Sequence, residues 1–181
     1  MPTPIPGIVL LELDAFGDAR GRFMETYRRE RYVELGIAGD FVQDNLSSST
    51  RGVLRGLHYQ LANPQGKLLH VSRGEIFDVC VDIRAGSPTF RKWFGTVLSQ
   101  DNHRQLWIPP GFAHGFYVTS DVADVAYKCT TVYSAQDDHS IAWNEPDFAI
   151  DWPLAGEPIL SARDRAAPRM RECTLPTYLA P

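Results

Sequence analysis

The feature that most constrains the fold of this chain is an alternation of apolar and polar residues over short segments. Between Glu75 and Ile83, four apolar residues share one parity, while Asp78 and Asp82 share the other. A period of two is typical of a β-strand that buries one face. Gly74, just before this segment, suits a tight turn. We therefore predict a hairpin whose partner strand is 67–72.

Similar short segments recur along the chain between turn formers. They predict strands at 52–60, 91–99, 104–108, 113–119 and 122–133. Seven or so short strands favour a β-sandwich or barrel. A helix is predicted at 28–36, before a glycine stop, and a short one at 162–167 in an irregular tail. A length of 181 residues fits one domain, so we expect a single mostly β domain over 1–181, with the tail packed on the barrel.

Charge and cysteine content narrow the function classes. A net charge of -4 argues against a nucleic-acid partner, although a few arginines in one cleft could still hold a small anion. Three cysteines without metal-type spacing are typical of a reducing compartment. No stretch approaches the roughly 20 apolar residues of a membrane span, and no signal-type start is present. The sequence thus predicts a cytoplasmic protein without a membrane partner.

Histidines in a small β-barrel raise the question of a metal. A metal site of the cupin type uses two histidines two residues apart and a third on a later strand. Here His58 is followed by Gln60 in the second position, whereas the later segment ending in His114 is intact. Two histidines leave too few ligands for a stable zinc or iron site. We therefore expect no metal and no cofactor.

The residues around His58 favour a polar cavity. A lone strand histidine is most often a satisfied core residue. However, Arg55 and Lys67 flank His58, and neither suits an apolar interior. Asp164 lies in a late segment that could reach back to the imidazole. A carboxylate there would fix one tautomer and increase basicity, as a general base requires.

Two tyrosines offer a candidate acid. Tyr127 and Tyr133 share one parity in the predicted strand 122–133, so they would look to the same side. Parity alone is equally compatible with two core aromatic residues. A phenol near a base could instead deliver a proton to the opposite face of a substrate.

Eight motifs, in order between residues 7 and 168, resemble those of the dTDP-4-dehydrorhamnose 3,5-epimerase family. They are Arg20-Gly-Arg-Phe-Met-Glu25, Gln43-Asp-Asn45, Gly52-Val-Leu-Arg-Gly-Leu-His-Tyr-Gln60, Gly66-Lys67, Gly74-Glu-Ile-Phe-Asp-Val-Cys-Val-Asp-Ile-Arg84, Ile108-Pro-Pro-Gly-Phe-Ala-His-Gly-Phe116, Tyr127-Lys-Cys-Thr130 and Leu160-Ser-Ala-Arg-Asp164.

The resemblance implies a metal-free, cupin-type double-stranded β-helix (jelly roll), usually a homodimer. The implied reaction inverts C3 and C5 of dTDP-4-dehydro-6-deoxy-D-glucose. By motif, His58 would be the base, Asp164 its partner, Tyr127 the acid, and Lys67 the ligand of the C4 oxygen. The nucleotide sugar would be held by Arg20, Glu25, Gln43, Asp44, Asn45, Arg55, His114, Tyr133, Asp138 and Arg163.

Two positions fit this interpretation less simply. On a regular strand, Arg55 and His58 have opposite parity and would face opposite sides of the sheet. A bulge at Gly56 would bring both to one cavity. Arg22 stands where some relatives have an aromatic residue, which leaves the selectivity for the nucleotide base open.

Other functions compete with the double epimerase. A 3-only or 5-only epimerase would use the same base and acid. A non-catalytic sugar-nucleotide-binding cupin would not need His58, Tyr127 and Asp164 together. A metal-dependent oxygenase or isomerase is disfavoured by Gln60.

Overall fold

The computed structural model describes residues 1, 3–37 and 39–179, which form two antiparallel sheets of five strands and a separate hairpin. The helices are α1 (Arg29–Glu34), α2 (Ala162–Arg165) and a 3-10 helix (Met170–Glu172). The strands are β1 (Val9–Glu12), β2 (Ala15–Asp18), β3 (Gly21–Met24), β4 (Gln43–Thr50), β5 (Leu54–Gln60), β6 (Lys67–Arg73), β7 (Glu75–Asp82), β8 (Trp93–Ser99), β9 (Arg104–Ile108), β10 (Phe112–Val118), β11 (Val122–Cys129) and β12 (Asp138–Ser140).

The chain alternates between the two sheets. The first sheet has the order β1-β9-β6-β11-β4 and the second the order β12-β5-β10-β7-β8, while β2 and β3 pair only with each other. From β4 onward, β4, β6, β9 and β11 lie in the first sheet, and β5, β7, β8, β10 and β12 lie in the second, so the chain changes sheet at every step except from β7 to β8, which pair with each other. This alternation confirms the predicted mostly β jelly roll. None of the helices in the described part of the chain combines the length and apolarity needed to cross a bilayer.

The predicted hairpin at residues 72–75 is wrong. Strand β6 pairs with β9 and β11, and β7 pairs with β8 and β10, so the two consecutive strands belong to different sheets. Gly74, with φ of 76°, forms a corner where a Cβ would lie 1.9 Å from the Val122 carbonyl oxygen. The alternation of side chains identifies a strand and its faces, but it does not identify the strand's partners.

Strand β7 is buried on both faces, although its pattern predicted one buried face. Ile76 and Cys80 point into the core between the sheets. Val79, of the opposite parity, packs in a second core cluster with Phe148 and Trp152 from the segment after β12. The carboxy-terminal segment therefore covers the outer face of the second sheet.

Other predicted elements differ mainly at their ends. The helix predicted at 28–36 is confirmed as α1, and the short helix near 162–167 as α2. The strand predicted at 122–133 ends at Cys129, so Tyr133 lies in the loop that follows. The pattern did not predict β1 to β4 or β12.

A bulge in β5 brings Arg55 and His58 to the same side, as the sequence led us to expect. Phe116 on β10 is opposite Arg55, and His114 is opposite His58, so a step of two residues on β10 matches a step of three on β5. Gly56 has φ of 117°, and a Cβ there would lie 2.6 Å from the Gly115 Cα atom. Both features favour glycine at the bulge.

Replacing Gly56 with alanine is expected to lower the free energy of unfolding by about 3 kcal/mol or more, since positive φ strain and backbone overlap add. Denaturant unfolding monitored by tryptophan fluorescence measures the change. The control is Gly86→Ala, because Gly86 has φ of 89° and open space where the Cβ would lie. Equal losses in both variants would show that the approach of Gly56 to Gly115 contributes nothing.

Candidate active site

Two adjoining cavities open between the sheets and share His58, Lys67 and Tyr127. The shared side chains come from β5, β6 and β11, so three candidates that are distant in sequence converge. The smaller cavity, of about 140 Å³, is lined by Ser47, Arg55, His58, Lys67, His114, Gly115, Phe116 and Tyr127. The larger, of about 300 Å³, is lined by Gln43, Asn45, His58, Gln65, Lys67, Tyr127, Tyr133 and Asp138.

His58 forms a close pair with Asp164. The His58 Nε2 atom lies 2.6 Å from Asp164 Oδ1, and the Asp164 side chain is 4% exposed. Ser161, the N-cap of α2, donates its hydroxyl to Asp164 Oδ2 at 2.7 Å. With the carboxylate accepting from Nε2–H, Nδ1 is the nitrogen left to take up a proton. The far end of the chain thus orients the imidazole, as the sequence suggested.

The electrostatics of Asp164 favour the ionised form. Burial raises the pKa of its carboxyl group, but hydrogen bonds from His58, Ser161 and the Gly56 N–H outweigh this effect, so the net pKa is lowered. An ionised carboxylate is the form that can accept from the imidazole and stabilise the imidazolium after proton transfer.

Lys67 is the ammonium group of the cavity. Its pKa is lowered from the ordinary value, chiefly by burial, and the nearby acidic groups Cys129, Asp138 and Asp78 oppose this shift. A weakly solvated ammonium interacts strongly with an oxyanion that develops beside it. The site can therefore stabilise negative charge at one point of a bound molecule.

Tyr127 has the properties of a proton donor. Its pKa is raised, first by burial and then by Cys129, although Arg55 acts in the opposite direction. A raised pKa keeps the phenol protonated at neutral pH, so it has a proton to give. Tyr127 and Tyr133 both line the larger cavity, even though Tyr133 lies beyond the end of β11.

Polar side chains on β4 of the first sheet and β5 of the second line the two cavities. Gln43 Nε2 donates to Asn45 Oδ1 at 2.9 Å, and Gln43 Oε1 accepts from the Tyr133 backbone N–H at 2.7 Å. Arg55 Nε donates to Ser49 Oγ at 3.0 Å. Strand β4 thus presents amides and β5 a guanidinium to the same space, an arrangement suited to a polar, anionic ligand.

A second group of polar residues stands at the edge of the larger cavity. The Tyr133 hydroxyl donates to Asp138 Oδ2 at 2.9 Å, and Arg163 forms an ion pair with the same oxygen. Burial raises the pKa of the Asp138 carboxyl group, but the hydrogen bonds from Arg163 and Tyr133 outweigh this effect, so the net pKa is lowered. Arg163 adjoins Asp164 on α2, so this helix serves both the base and the cavity edge.

Three predicted substrate-binding residues lie away from this cavity within one chain. Arg20 is on the β2–β3 hairpin, where it pairs with Asp18. Asp44 faces the outside of the first sheet and contacts Lys128 Nζ at 3.0 Å. Glu25 pairs with Arg28, with its Oε1 atom 3.4 Å from Arg28 Nε. Arg22, the arginine at the variable position of the first motif, also has a partner outside the cavity: its Nη1 atom lies 3.2 Å from His103 Nε2.

Sequence reasoning missed three residues at the site. Ser47 and Gln65 line the cavities, and Asp78 holds His114 from behind at 2.8 Å. Ser47 has the same parity as Gln43 and Asn45, so recognising β4 as a strand would have found it. Asp78 could have been recognised as a candidate because it is a carboxylate within a strand rich in apolar residues.

The second metal-ligand position of a cupin has a different role here. Gln60 is buried, and its amide donates to the Asn63 carbonyl and accepts from the Ser134 N–H, both at 2.9 Å. Within residues 1, 3–37 and 39–179, no three His, Cys, Asp or Glu side chains are grouped closely enough to hold a metal ion. Metal independence stays a prediction.

Comparison with known proteins identifies the family. The model of the dTDP-4-dehydrorhamnose 3,5-epimerase family matches residues 2–172. The chain belongs to this family. A dTDP-4-dehydrorhamnose 3,5-epimerase of Pseudomonas aeruginosa is 52% identical over 162 residues, which are 89% of this chain and 90% of the relative. The family predicted from the eight motifs is thus confirmed.

Solved structures of epimerases have the same fold. The dTDP-6-deoxy-D-glucose-3,5-epimerase of Legionella pneumophila Philadelphia 1, in complex with dTDP-4-keto-L-rhamnose, is 52% identical with a TM-score of 0.96 over 98% of this chain and 97% of its own. A 3'-monoepimerase of Streptomyces bikiniensis, in complex with dTDP-quinovose, is 35% identical with a TM-score of 0.91 over 98% and 92%. The cupin-type fold is therefore shared by epimerases of both kinds.

Proposed function

We propose that this chain converts dTDP-4-dehydro-6-deoxy-D-glucose to dTDP-4-dehydro-L-rhamnose by inverting C3 and C5. The observation that carries the proposal is the convergence of His58, Lys67 and Tyr127 on one cavity, with Asp164 behind the imidazole. Membership of the 3,5-epimerase family and 52% identity to two named 3,5-epimerases support it.

The chemistry of a 4-ketosugar suits these residue types. C3 and C5 are both adjacent to the C4 carbonyl, so loss of a proton from either carbon places negative charge on the same oxygen. His58 Nδ1 takes the proton, and the imidazolium is stabilised by Asp164. Lys67 stabilises the enolate oxygen more strongly than the ketone, which is the differential stabilisation that lowers the barrier.

Inversion requires a proton donor on the face opposite the base. Tyr127 gives its phenolic proton to the carbon, the enolate returns to the ketone, and the phenolate and imidazolium are reset by exchange with solvent. Each carbon thus loses one proton and gains one, with no net oxidation. The raised pKa of Tyr127 keeps this donor loaded between turnovers.

The remaining cavity residues bind the nucleotide and sugar in this proposal. Arg55 and Arg163 supply positive charge for a diphosphate, which a chain of net charge -4 needs locally. Tyr133 offers an aromatic face at the cavity edge. The other polar ligands are Gln43, Asn45, His114 and Asp138.

We also propose a homodimer in the cytoplasm. The β2–β3 hairpin exposes Phe16 and Phe23, at 67% and 70%, which is costly unless another surface covers them. In the dimer proposed here, Arg20 and Glu25, which flank β3 of this hairpin, reach the cavity of the partner copy. Light scattering tests the association. The unmodified chain should have the mass of a dimer, and a double variant with Phe16→Ser and Phe23→Ser should have the mass of a monomer.

Deuterium incorporation tests the reaction. In ²H₂O, the double epimerase places deuterium at both C3 and C5 of the product, as read by proton NMR. Label at C3 alone would instead support a monoepimerase, the candidate favoured by the likeness to the Streptomyces bikiniensis protein. No label with bound dTDP-sugar would support a non-catalytic binding protein.

The rate of epimerisation in excess chelator distinguishes the proposed metal-free mechanism from a metal-dependent one. The proposed mechanism predicts an unchanged rate in chelator. A rate lost in chelator and restored by an added divalent metal would contradict it and favour a metal-dependent oxygenase or isomerase.

Replacing Tyr127 with phenylalanine is expected to uncouple exchange from inversion. The base and Lys67 remain, so the substrate should still exchange its proton with ²H₂O, while product formation falls about 10²-fold for loss of the acid. NMR of the substrate pool and of the product gives both rates. Full epimerisation in Tyr127→Phe would mean that water or another side chain supplies the proton.

A further inference from the structure

A second buried carboxylate stands behind a second cavity histidine. Asp78 is on β7, its side chain is 0% exposed, and its Oδ2 atom lies 2.8 Å from His114 Nε2. The other oxygen, Oδ1, is buried and has no hydrogen-bond partner among the described residues. Burial of a carboxylate with an unpaired oxygen is costly, so this arrangement needs an explanation beyond stability.

Asp82 shows what a structural carboxylate looks like in the same strand. It shares the parity of Asp78 and is equally buried. Its oxygens accept hydrogen bonds from Arg84, Ser87 and Thr89 at 2.6 to 2.9 Å. Among the described residues, Asp78 has no such set, and the one hydrogen bond that it accepts comes from a side chain that lines the cavity.

His114 connects Asp78 to the ligand space. Its side chain is 12% exposed and lines the smaller cavity with Arg55, His58 and Lys67. Nε2 is held by the carboxylate, and Nδ1 has no hydrogen-bond partner within the part of the chain that the structure describes. A carboxylate accepting from Nε2–H fixes both the ring orientation and the nitrogen that carries the proton.

We propose that Asp78 is a positioning residue that acts through His114, holding Nε2–H so that Nδ1 is presented to a polar group of the bound nucleotide sugar. The inference rests on the proposed function for the identity of the ligand. Asp78 itself does not touch the substrate. It is buried beneath the imidazole, as Asp164 is beneath His58, so the cavity contains two oriented histidines with different tasks.

A double-mutant cycle tests the route from Asp78 to the substrate. Asp78→Asn keeps the size but lets the amide donate, so the imidazole can change its protonated nitrogen. We expect kcat/KM to fall about tenfold, mainly through KM, because a binding contact is lost. In a His114→Ala background, adding Asp78→Asn should change kcat/KM less than about twofold.

Asp82→Asn is the matched control, since it removes the same charge from the same face of the same strand. It should lower the unfolding midpoint and leave kcat/KM within about twofold when assayed below that midpoint. If Asp78→Asn costs as much with His114→Ala as without it, Asp78 acts by another route, such as its charge near Lys67, and the proposal is overturned.

A spectroscopic measurement on the unmodified chain depends neither on turnover nor on how Asp78→Asn folds. In protein labelled with ¹⁵N-histidine, the ring signals of His114, assigned by loss in His114→Ala, should show a protonated Nε2 in the unmodified chain. A ring protonated only at Nδ1 would overturn the proposal. An inactive chain with Nε2 protonated would refute the proposed function but leave the Asp78–His114 arrangement standing.

Discussion

Replacing His58 with alanine is expected to lower kcat by at least about 10²-fold, the range for loss of a general base. Substrate exchange with ²H₂O should fall by the same factor, because no other group in the proposal removes the carbon-bound proton. The affinity for dTDP should change little, since the base acts on the sugar. Steady-state kinetics, NMR exchange and calorimetry give the three values.

His139→Ala is the control for the loss of an imidazole. His139 stacks on Tyr59 with ring centroids 5.3 Å apart and does not line either cavity. It should keep kcat within about twofold, with a modest loss of stability for the stacking contact. A His58→Ala enzyme within tenfold of the unmodified rate would show that the base is another residue.

Two variants together test whether His58 and Tyr127 act as base and acid at separate steps. Exchange of the substrate proton with ²H₂O should be lost in His58→Ala and retained in Tyr127→Phe. Base and acid act at different steps, so removing the acid alone leaves deprotonation reversible. The structure supports this division because the two side chains come from opposite sheets, β5 and β11. A substrate between the sheets would have one on each side.

The sequence predicted the strands best where one face of the strand is consistently apolar. Strand β7 was recognised from its alternation, and the bulge at Gly56 from the conflict in parity between Arg55 and His58. By contrast, β4 was missed because its inward residues are polar. Gln43, Asn45 and Ser47 line the two cavities instead of an apolar core, so β4 lacks the alternation of apolar residues by which a strand is recognised.

The alternation of apolar and polar residues does not predict which residues that are distant in sequence contact each other. The pairing of His58 with Asp164 joins residues separated by 106 positions, and only the reach of a late segment and the family motifs suggested it. The corner at Gly74 was mistaken for a hairpin because both arrangements need a glycine with positive φ. A motif match predicts a role for a residue but not its position in the fold. Arg20, Glu25 and Asp44 were therefore expected at the cavity, although they lie away from the cavity of their own chain.

Replacing Lys67 with methionine is expected to lower kcat about 10² to 10³-fold, the cost of losing one group that stabilises an oxyanion. Methionine fills similar space without the charge, and burying an ammonium is itself unfavourable, so the unfolding midpoint should not fall. Kinetics and thermal unfolding of the same preparations check both parts. A large loss of activity with retained stability is the sign of a residue kept for chemistry.

The pH dependence provides a further check on Lys67. Burial lowers its pKa, so the ammonium is lost at a lower pH than for an ordinary lysine, and kcat of the unmodified enzyme should fall as pH rises through that pKa. The residual activity of Lys67→Met should lack this alkaline fall. Lys128→Met is the matched control, because Lys128 lies on the outer face of β11 and pairs with Asp44. A Lys67→Met enzyme that keeps the alkaline fall would assign that titration to another group, with Tyr127 the first to examine.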